Sequence, residues 1–186
     1  MARQLPNVLT VFRICLVPVM VLLVLGDDAA PMYLAAAVFG LAAVTDIADG
    51  HLARARNAIT TFGRLVDPVA DKLLVGAALA ALVSVDRLAL WIAAVIVIRE
   101  VAVTLLRWHA GTRGIVISVS GLGKLKTGLQ MTAIPMLMLV PDPGAAWVIA
   151  ALLVAVAVTV ASGVEYALTY ARGAADAPPG VQVARW

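Results

Sequence analysis

The chain has very little cysteine, histidine or charge, and each shortage closes off a class of protein. One cysteine, Cys15, in 186 residues excludes a disulfide framework and a thiolate metal centre. It falls inside an apolar run, where a small packing residue is expected. The two histidines, His51 and His109, stand alone, and a lone histidine is more often solvated or hydrogen-bonded than a ligand. No Ser-His-Asp arrangement, P-loop or dinucleotide fingerprint occurs. Charged residues make up only 13% of the chain against 63% hydrophobic, with a mean hydropathy of +1.01. That composition excludes a soluble domain and indicates a polytopic membrane protein whose solvent is the bilayer. No internal repeat, low-complexity segment or second domain is visible. No small-residue cleavage pattern closes the first apolar run, so that run is expected to be retained.

Apolar runs of about 20 residues lie at roughly 8–25, 31–53, 65–85, 88–108, 117–140 and 145–170. The expected fold is therefore an all-α integral membrane protein, six transmembrane helices in one bundle. Residues 1–172 are expected to form a single six-helix domain and 173–186 a Pro/Gly-rich, disordered C-terminal tail. With six spans, both termini and the even loops share one side. Thirteen of the fourteen Lys and Arg residues lie on or nearer that side, and Arg87 alone lies opposite, beside loops carrying Asp27, Asp28, Asp86 and Asp142. The positive-inside rule makes the basic side cytoplasmic. Tyr33, Trp91 and Trp147 then fall at outer span ends and Trp108, Tyr166 and Tyr170 at inner ends, as an aromatic belt requires. The net charge of +3 is accordingly a topology signal suited to anionic lipid headgroups, not a nucleic-acid footprint. The expected location is the cell (plasma) membrane, multi-pass.

Against this apolar background stands DIADGHLARARNAITTFGRLVDPVAD, residues 46–71, with four carboxylates and three arginines. Asp46 and Asp49 are three apart near the end of the second span, and Asp67 and Asp71 four apart at the start of the third. On helices these spacings set each pair on one face, about 60° and 40° apart. If the two helices are antiparallel neighbours, all four carboxylates converge. Four carboxylates in a low-dielectric pocket need a compensating cation, because burial and mutual repulsion both disfavour the ionised form. All-oxygen donors favour Mg²⁺ or Mn²⁺ over Zn²⁺, and two ions bridged by carboxylates suit phosphoryl transfer. The plainer alternative pairs these aspartates with Arg54, Arg56, Arg64 or Lys72 in a solvated rim, but paired intramembrane carboxylates are costly and seldom incidental. Gly50 and Ala53, on the same side as Asp46, leave space for a ligand to approach the backbone and also suit helix packing.

The stretch resembles the signature of the CDP-alcohol phosphotransferase family, DxxDGxxARx₈GxxxDxxxD, with Asp46, Asp49, Gly50, Ala53, Arg54, Gly63, Asp67 and Asp71 at its fixed positions. The resemblance implies six transmembrane helices preceded by a short interfacial segment, a homodimer, and a polar cavity open to the cytoplasm. It implies that Asp46, Asp49, Asp67 and Asp71 hold two metal ions, Mg²⁺ or Mn²⁺, with Asp71 also the catalytic base. The implied reaction is attack of an alcohol on the β-phosphorus of a CDP-linked lipid, with CMP leaving. Ile47 and Ala48 depart from the bulky aromatic that many members carry between the first two aspartates, at positions that vary.

Three further segments resemble the bacterial phosphatidylglycerophosphate-forming branch: LPNVLTVFRI with Asn7, Thr10 and Arg13, DPVADK from Asp67 to Lys72, and IREVAVTLLR followed by GKLKTGLQ. On that resemblance the substrates are CDP-diacylglycerol and sn-glycerol 3-phosphate. The CDP-lipid contacts are Asn7, Thr10, Gly50, Ala53, Arg54 and Gly63. Arg107, Arg113, Lys124 and Lys126 are the expected acceptor-phosphate site, since a small dianion needs cationic capture; the alternative for them is snorkelling to headgroups. Glu100, Thr104 and Arg107 share a helix face, so Glu100 is expected to orient Arg107. Glu165 is expected to pair with a basic residue. Within the family, cardiolipin synthase and phosphatidylinositol phosphate synthase are rivals, and the clustered cations favour glycerol phosphate over a lipid acceptor. A cation transporter is the rival of another class, and the lack of a polar trail to the far side argues against it.

Overall fold

The computed structural model describes residues 5–26, 28–55, 61–113 and 120–175, with side chains described over 10–26, 28–45, 69–113 and 120–174. Among these residues the chain is all-helical: α1 Leu5–Leu25, α2 Ala29–Ala55, α3 Thr61–Ser84, α4 Leu90–Thr112, α5 Gly121–Leu139 and α6 Ala146–Ala175. Each apolar run thus yields one helix. Helix α6 continues through Gly173, Ala174 and Ala175, past the expected domain end at 172, and the remainder of the expected tail lies outside the described residues.

Among the described side chains of α1 the buried ones are Thr10, Arg13, Val17, Met20 and Val24, a three-four spacing that keeps one stripe of a helix turned inward. That stripe packs against both α2 and α3, while α5 closes on the same two helices and α6 backs α4 and α5. Small residues allow the close approach of α2 and α3 to α1: Ala35, Ala36 and Ala42, and Ala70, Ala78 and Ala81, are buried. Phe39, Met20, Met32 and Leu82 fill the space between them. Large apolar side chains also cover much of the outside of the helices, with Leu22, Val44, Ile98 and Leu105 all exposed, a surface suited to hydrocarbon rather than water. By length and composition one helix among the described residues, over Ala146–Ala174, is apolar enough to cross a bilayer, with shorter apolar stretches at Thr10–Leu25 and Ala29–Thr45. Charge is the reason α4 falls outside that group: Arg99, Glu100 and Arg107 interrupt its run.

The turns are closed by local polar contacts. Ser120 caps α5 by accepting the Gly123 N–H at 3.0 Å, and the Asp142 carboxylate accepts the Gly144 N–H at 2.8 Å before α6 begins. Between α3 and α4, Asp86 adopts a left-handed φ of 55° and Arg87 turns back across the bundle. Its Nε donates to the Leu137 carbonyl at 3.0 Å and its Nη2 to that of Val140, so the one basic residue of the acidic loops caps the end of α5. Cys15 is exposed on α1, which corrects the expectation of a packed residue. Tyr166 is buried, which removes it from the expected aromatic belt.

Candidate active site

Three adjoining cavities open where the start of α3, the end of α4 and the start of α5 meet. The first, about 440 Å³, lies between α1, α2, α3 and α5 and is lined by Arg13, Ala42, Ala43, Asp71, Lys124 and Thr127 among others. The second, about 270 Å³, lies between α3, α4 and α5, with Asp71, Lys72, Glu100, Lys126, Thr127 and Gln130 in its walls. The third, about 140 Å³, adds α6: Lys72, Arg99, Glu100, Arg107, Lys126 and Tyr166 line it. Asp71 is shared by the first two, Lys126 by the last two, and Thr127 by all three.

Asp71 is half-buried, at the end of the third turn of α3, and lines two cavities. Asp46, Asp49, Gly50, Ala53 and Arg54 fall in the last turns of α2, and Gly63 and Asp67 in the first turns of α3; their side chains lie outside the described residues. So does that of Asn7 in α1, whereas Thr10 is buried one turn before Arg13. Ala42 and Ala43, which line the first cavity, precede Asp46 by one helical turn.

The expected phosphate-binding cations separate. Arg107 and Lys126 line the third cavity together, Lys124 lines the first, and Arg113 lines none of the three. Arg113 is exposed and its Nη1 donates to the Tyr170 hydroxyl at 3.2 Å. Lys126 is buried, and its Nζ donates to Glu100 Oε1, which also accepts from Arg99 Nη1 at 3.2 Å. Glu100 therefore holds Lys126 on the neighbouring helix and not Arg107, correcting the expected partner. Arg107 instead places its guanidinium 5.4 Å from the centroid of the Tyr166 ring. Among the described residues, Lys72, Arg99, Arg107 and Lys126 line the third cavity with one carboxylate, that of Glu100. A partly enclosed space with that excess of positive charge favours an anion. Glu165, expected to pair with a cation, leaves its buried Oε2 without a hydrogen-bond partner, so that expectation also fails.

Sequence reasoning missed the α6 contribution. Arg99 Nη2 donates to Ser162 Oγ at 2.7 Å, Gln130 Nε2 donates to Thr159 Oγ1 at 3.4 Å, and Tyr166 lies in the cavity wall. The available signal was weak: a Thr, Ser and Tyr at 159, 162 and 166, spaced three and four on one face of an otherwise apolar helix. Among the described residues no group of three or more His, Cys, Asp or Glu side chains gathers as a metal site, and the other three aspartates of the signature are outside that set.

The CDP-alcohol phosphatidyltransferase family model matches residues 3–161. The CDP-diacylglycerol–glycerol-3-phosphate 3-phosphatidyltransferase of Bacillus subtilis is 42% identical over 179 residues, covering 88% of this chain and 93% of the relative. Its namesake in Salmonella choleraesuis is 39% identical over 183 residues, covering 93% and 97%. That of Rickettsia typhi is 41% identical over 137 residues, covering 74% and 77%. A match of this length and identity, on a chain whose Asp71 lines two cavities adjoining a group of cations, makes it a member of the CDP-alcohol phosphatidyltransferase family.

Proposed function

We propose that the protein transfers the phosphatidyl group of CDP-diacylglycerol to sn-glycerol 3-phosphate, giving phosphatidylglycerophosphate and CMP. The relatives carry that activity in their names. The observation that carries the reading in this chain is the continuity between Asp71 and the cation-lined third cavity, which run together past Thr127. A carboxylate stands at one end of this system and an anion site at the other. An acceptor bearing a hydroxyl and a phosphate on one short carbon skeleton fits that separation of roles.

On this reading Asp71 takes the proton of the acceptor hydroxyl as its oxygen attacks the β-phosphorus. The bond from that phosphorus to the CMP oxygen breaks and CMP departs. Arg107 and Lys126 bind the acceptor phosphate, and Lys124, beside Asp71 and Arg13 in the first cavity, faces the CDP-lipid. Asn7, Thr10, Gly50, Ala53, Arg54 and Gly63 complete the CDP-lipid contacts. Thr10 and Arg13 occupy successive positions of the inward stripe of α1, which supports placing the nucleotide against that helix. Arg113 has a phenol partner away from the cavities, which favours a membrane-surface role for it.

The donor chemistry fits a divalent metal. Asp71 supplies hard oxygen at the cavity wall, and the α2 positions Asp46 and Asp49 follow the cavity-lining Ala42 by four and seven residues, the register of one helix face. Asp46, Asp49, Asp67 and Asp71 would hold two ions, Mg²⁺ or Mn²⁺, which supply charge neutralisation for the pyrophosphate and the leaving CMP. The remaining parts of the reading are a six-span bundle over residues 1–172, a homodimer in the plasma membrane among its lipids, and a cytoplasmic face for both termini and the cavities. The excess of basic residues at the cavity end supports that orientation.

The test is CMP release by detergent-purified protein with CDP-diacylglycerol and Mg²⁺ or Mn²⁺, comparing glycerol 3-phosphate, phosphatidylglycerol and inositol phosphate. Release that requires glycerol 3-phosphate and stops with EDTA is the expected result. Release with another acceptor only would overturn the acceptor assignment, and ion flux without CMP would overturn the enzyme.

A further inference from the structure

Tyr166 is 4% exposed and its ring has two guanidiniums beside it, with Arg99 Cζ 5.6 Å and Arg107 Cζ 5.4 Å from its centroid. The two arginines are held in different ways. Arg99 is fixed through hydrogen bonds to Ser162 and Glu100. Its stem runs so close to α6 that a Cβ on Gly163 would come 3.3 Å from Arg99 Cγ. The described contact of Arg107, by contrast, is with the ring. The ring is itself confined, because a Cβ on Gly123 would approach the Tyr166 hydroxyl to 3.1 Å, a distance that forces a neighbour to move. Glycine at the first turn of α5 and glycine on α6 therefore let three helices close around one aromatic side chain.

An ion pair would hold Arg107 as firmly but would occupy its N–H donors with a carboxylate that any phosphate must displace. Attraction to the electron-rich face of a ring uses the charge and leaves the five donors for another acceptor. We infer that Tyr166 is a positioning residue for the acceptor: it presents Arg107 to the third cavity with its donors uncommitted, while Arg99 and Glu100 set Lys126. This rests on the reading that the third cavity takes the acceptor phosphate. The family match stops at residue 161, so Ser162, Gly163 and Tyr166 form a feature of α6 beyond it. Tyr166 sets affinity for glycerol 3-phosphate and has no part in CMP departure.

The experiment keeps the shape of the ring and changes its charge distribution. In the full-length, detergent-purified protein, position 166 is made phenylalanine and then phenylalanine with increasing numbers of ring fluorines, which drain the negative face with little change in size. With saturating CDP-diacylglycerol, Y166F should stay within about twofold of the parent. KM for glycerol 3-phosphate should rise stepwise to about tenfold at full fluorination, with kcat and the KM for CDP-diacylglycerol steady within about twofold. A flat series, or a series in which kcat falls with KM unchanged, overturns the positioning role. Arg107→Ala, measured alongside, separates the two ideas. If it raises KM for glycerol 3-phosphate while the fluorine series is flat, the phosphate site stands and Tyr166 is packing alone. If Arg107→Ala leaves that KM unchanged, the placement of the phosphate in this cavity is wrong and the inference goes with it.

Discussion

Arg87, in the turn before α4, and Arg107, in the last turns of that helix, are the same side chain at opposite ends of one element in different electrostatic settings. Arg87 places its guanidinium on the carbonyls of Leu137 and Val140, groups that the end of α5 would otherwise leave without a donor. At the other end, Arg107, itself exposed, shares a cavity whose described walls carry Lys72, Arg99, Lys126 and the Glu100 carboxylate, and rests on an aromatic face. In an apolar bundle a cation that meets enough acceptors is structural. Cations that outnumber their acceptors mark the place where an anionic ligand completes the set. The cavities with charged walls accordingly lie at the basic end, whereas the open groove at the other end of α5, by Pro135, Leu139 and Trp147, has almost wholly apolar walls.

Substitutions at the two ends should therefore fail in different currencies, and the largest failure belongs to the carboxylate that faces the cavities. Asp71→Asn keeps size and hydrogen bonding but removes the basic oxygen. It is expected to lower kcat by about 10²–10⁴ with a thermal melt near that of the parent, read by CMP release and by melting of the purified protein. Normal turnover in this variant would show that the proton leaves by another route.

Glu100→Gln comes next and acts on both stability and binding. It removes the charge that Lys126 and Arg99 share, leaving a buried ammonium without the carboxylate it is bonded to, at a cost of about 2 kcal/mol in view of the partial exposure of Glu100. The melting temperature should fall, and added glycerol 3-phosphate should recover part of the loss, because a dianion replaces the missing charge. Absence of that recovery would separate the cation cluster from the acceptor.

The helices were legible because a continuous apolar run has few alternatives. The expected spans 88–108 and 117–140 became Leu90–Thr112 and Gly121–Leu139, with ends shifted by capping at Ser120 that hydropathy does not register. Asp71 was legible from spacing and now lies at a cavity wall. The partners of charged groups were not. Helical register pairs residues three or four apart, so Glu100 pointed to Arg107; its actual partner, Lys126, is on the next helix, and only packing brings it there. Tyr166 read as a belt residue because it sits near a helix end, and its two arginine neighbours are 59 and 67 positions away. Glu165 looked like half of an ion pair because a carboxylate in an apolar helix usually is; its buried oxygen without a partner has no physical account within this chain. Arg113 was grouped with Lys124 and Lys126 by nearness in sequence, which says nothing about the side of the helix on which a cation falls.

Arg87→Met tests the structural end of the comparison. The thioether keeps most of the apolar stem and deletes the charged donors to Leu137 and Val140, at a cost of about 1.5–3 kcal/mol. The melting temperature should drop while both KM values stay unchanged. A shift in KM for glycerol 3-phosphate would mean that the far end of α5 is mechanically coupled to Lys126, and the division between the two ends would have to be abandoned.

The smallest effect is expected at Arg113, and it sharpens the comparison most. By sequence Arg113 belongs with the phosphate-binding cations; by position it is exposed, bonded to the Tyr170 hydroxyl at 3.2 Å, and a hydrogen bond so open to solvent adds little. If the rule that ligand-binding cations are those lacking sufficient acceptors within a cavity is right, Arg113→Ala should leave kcat and KM for glycerol 3-phosphate within about twofold, while Arg107→Ala does not. Any remaining influence of Arg113 should show as a preference for anionic lipid in the surrounding micelle or vesicle, decreasing as salt screens the surface. A tenfold rise in KM on removing Arg113 would show instead that the acceptor is captured by the whole basic surface and not by one cavity, and the uncommitted donors of Arg107 would lose their special standing.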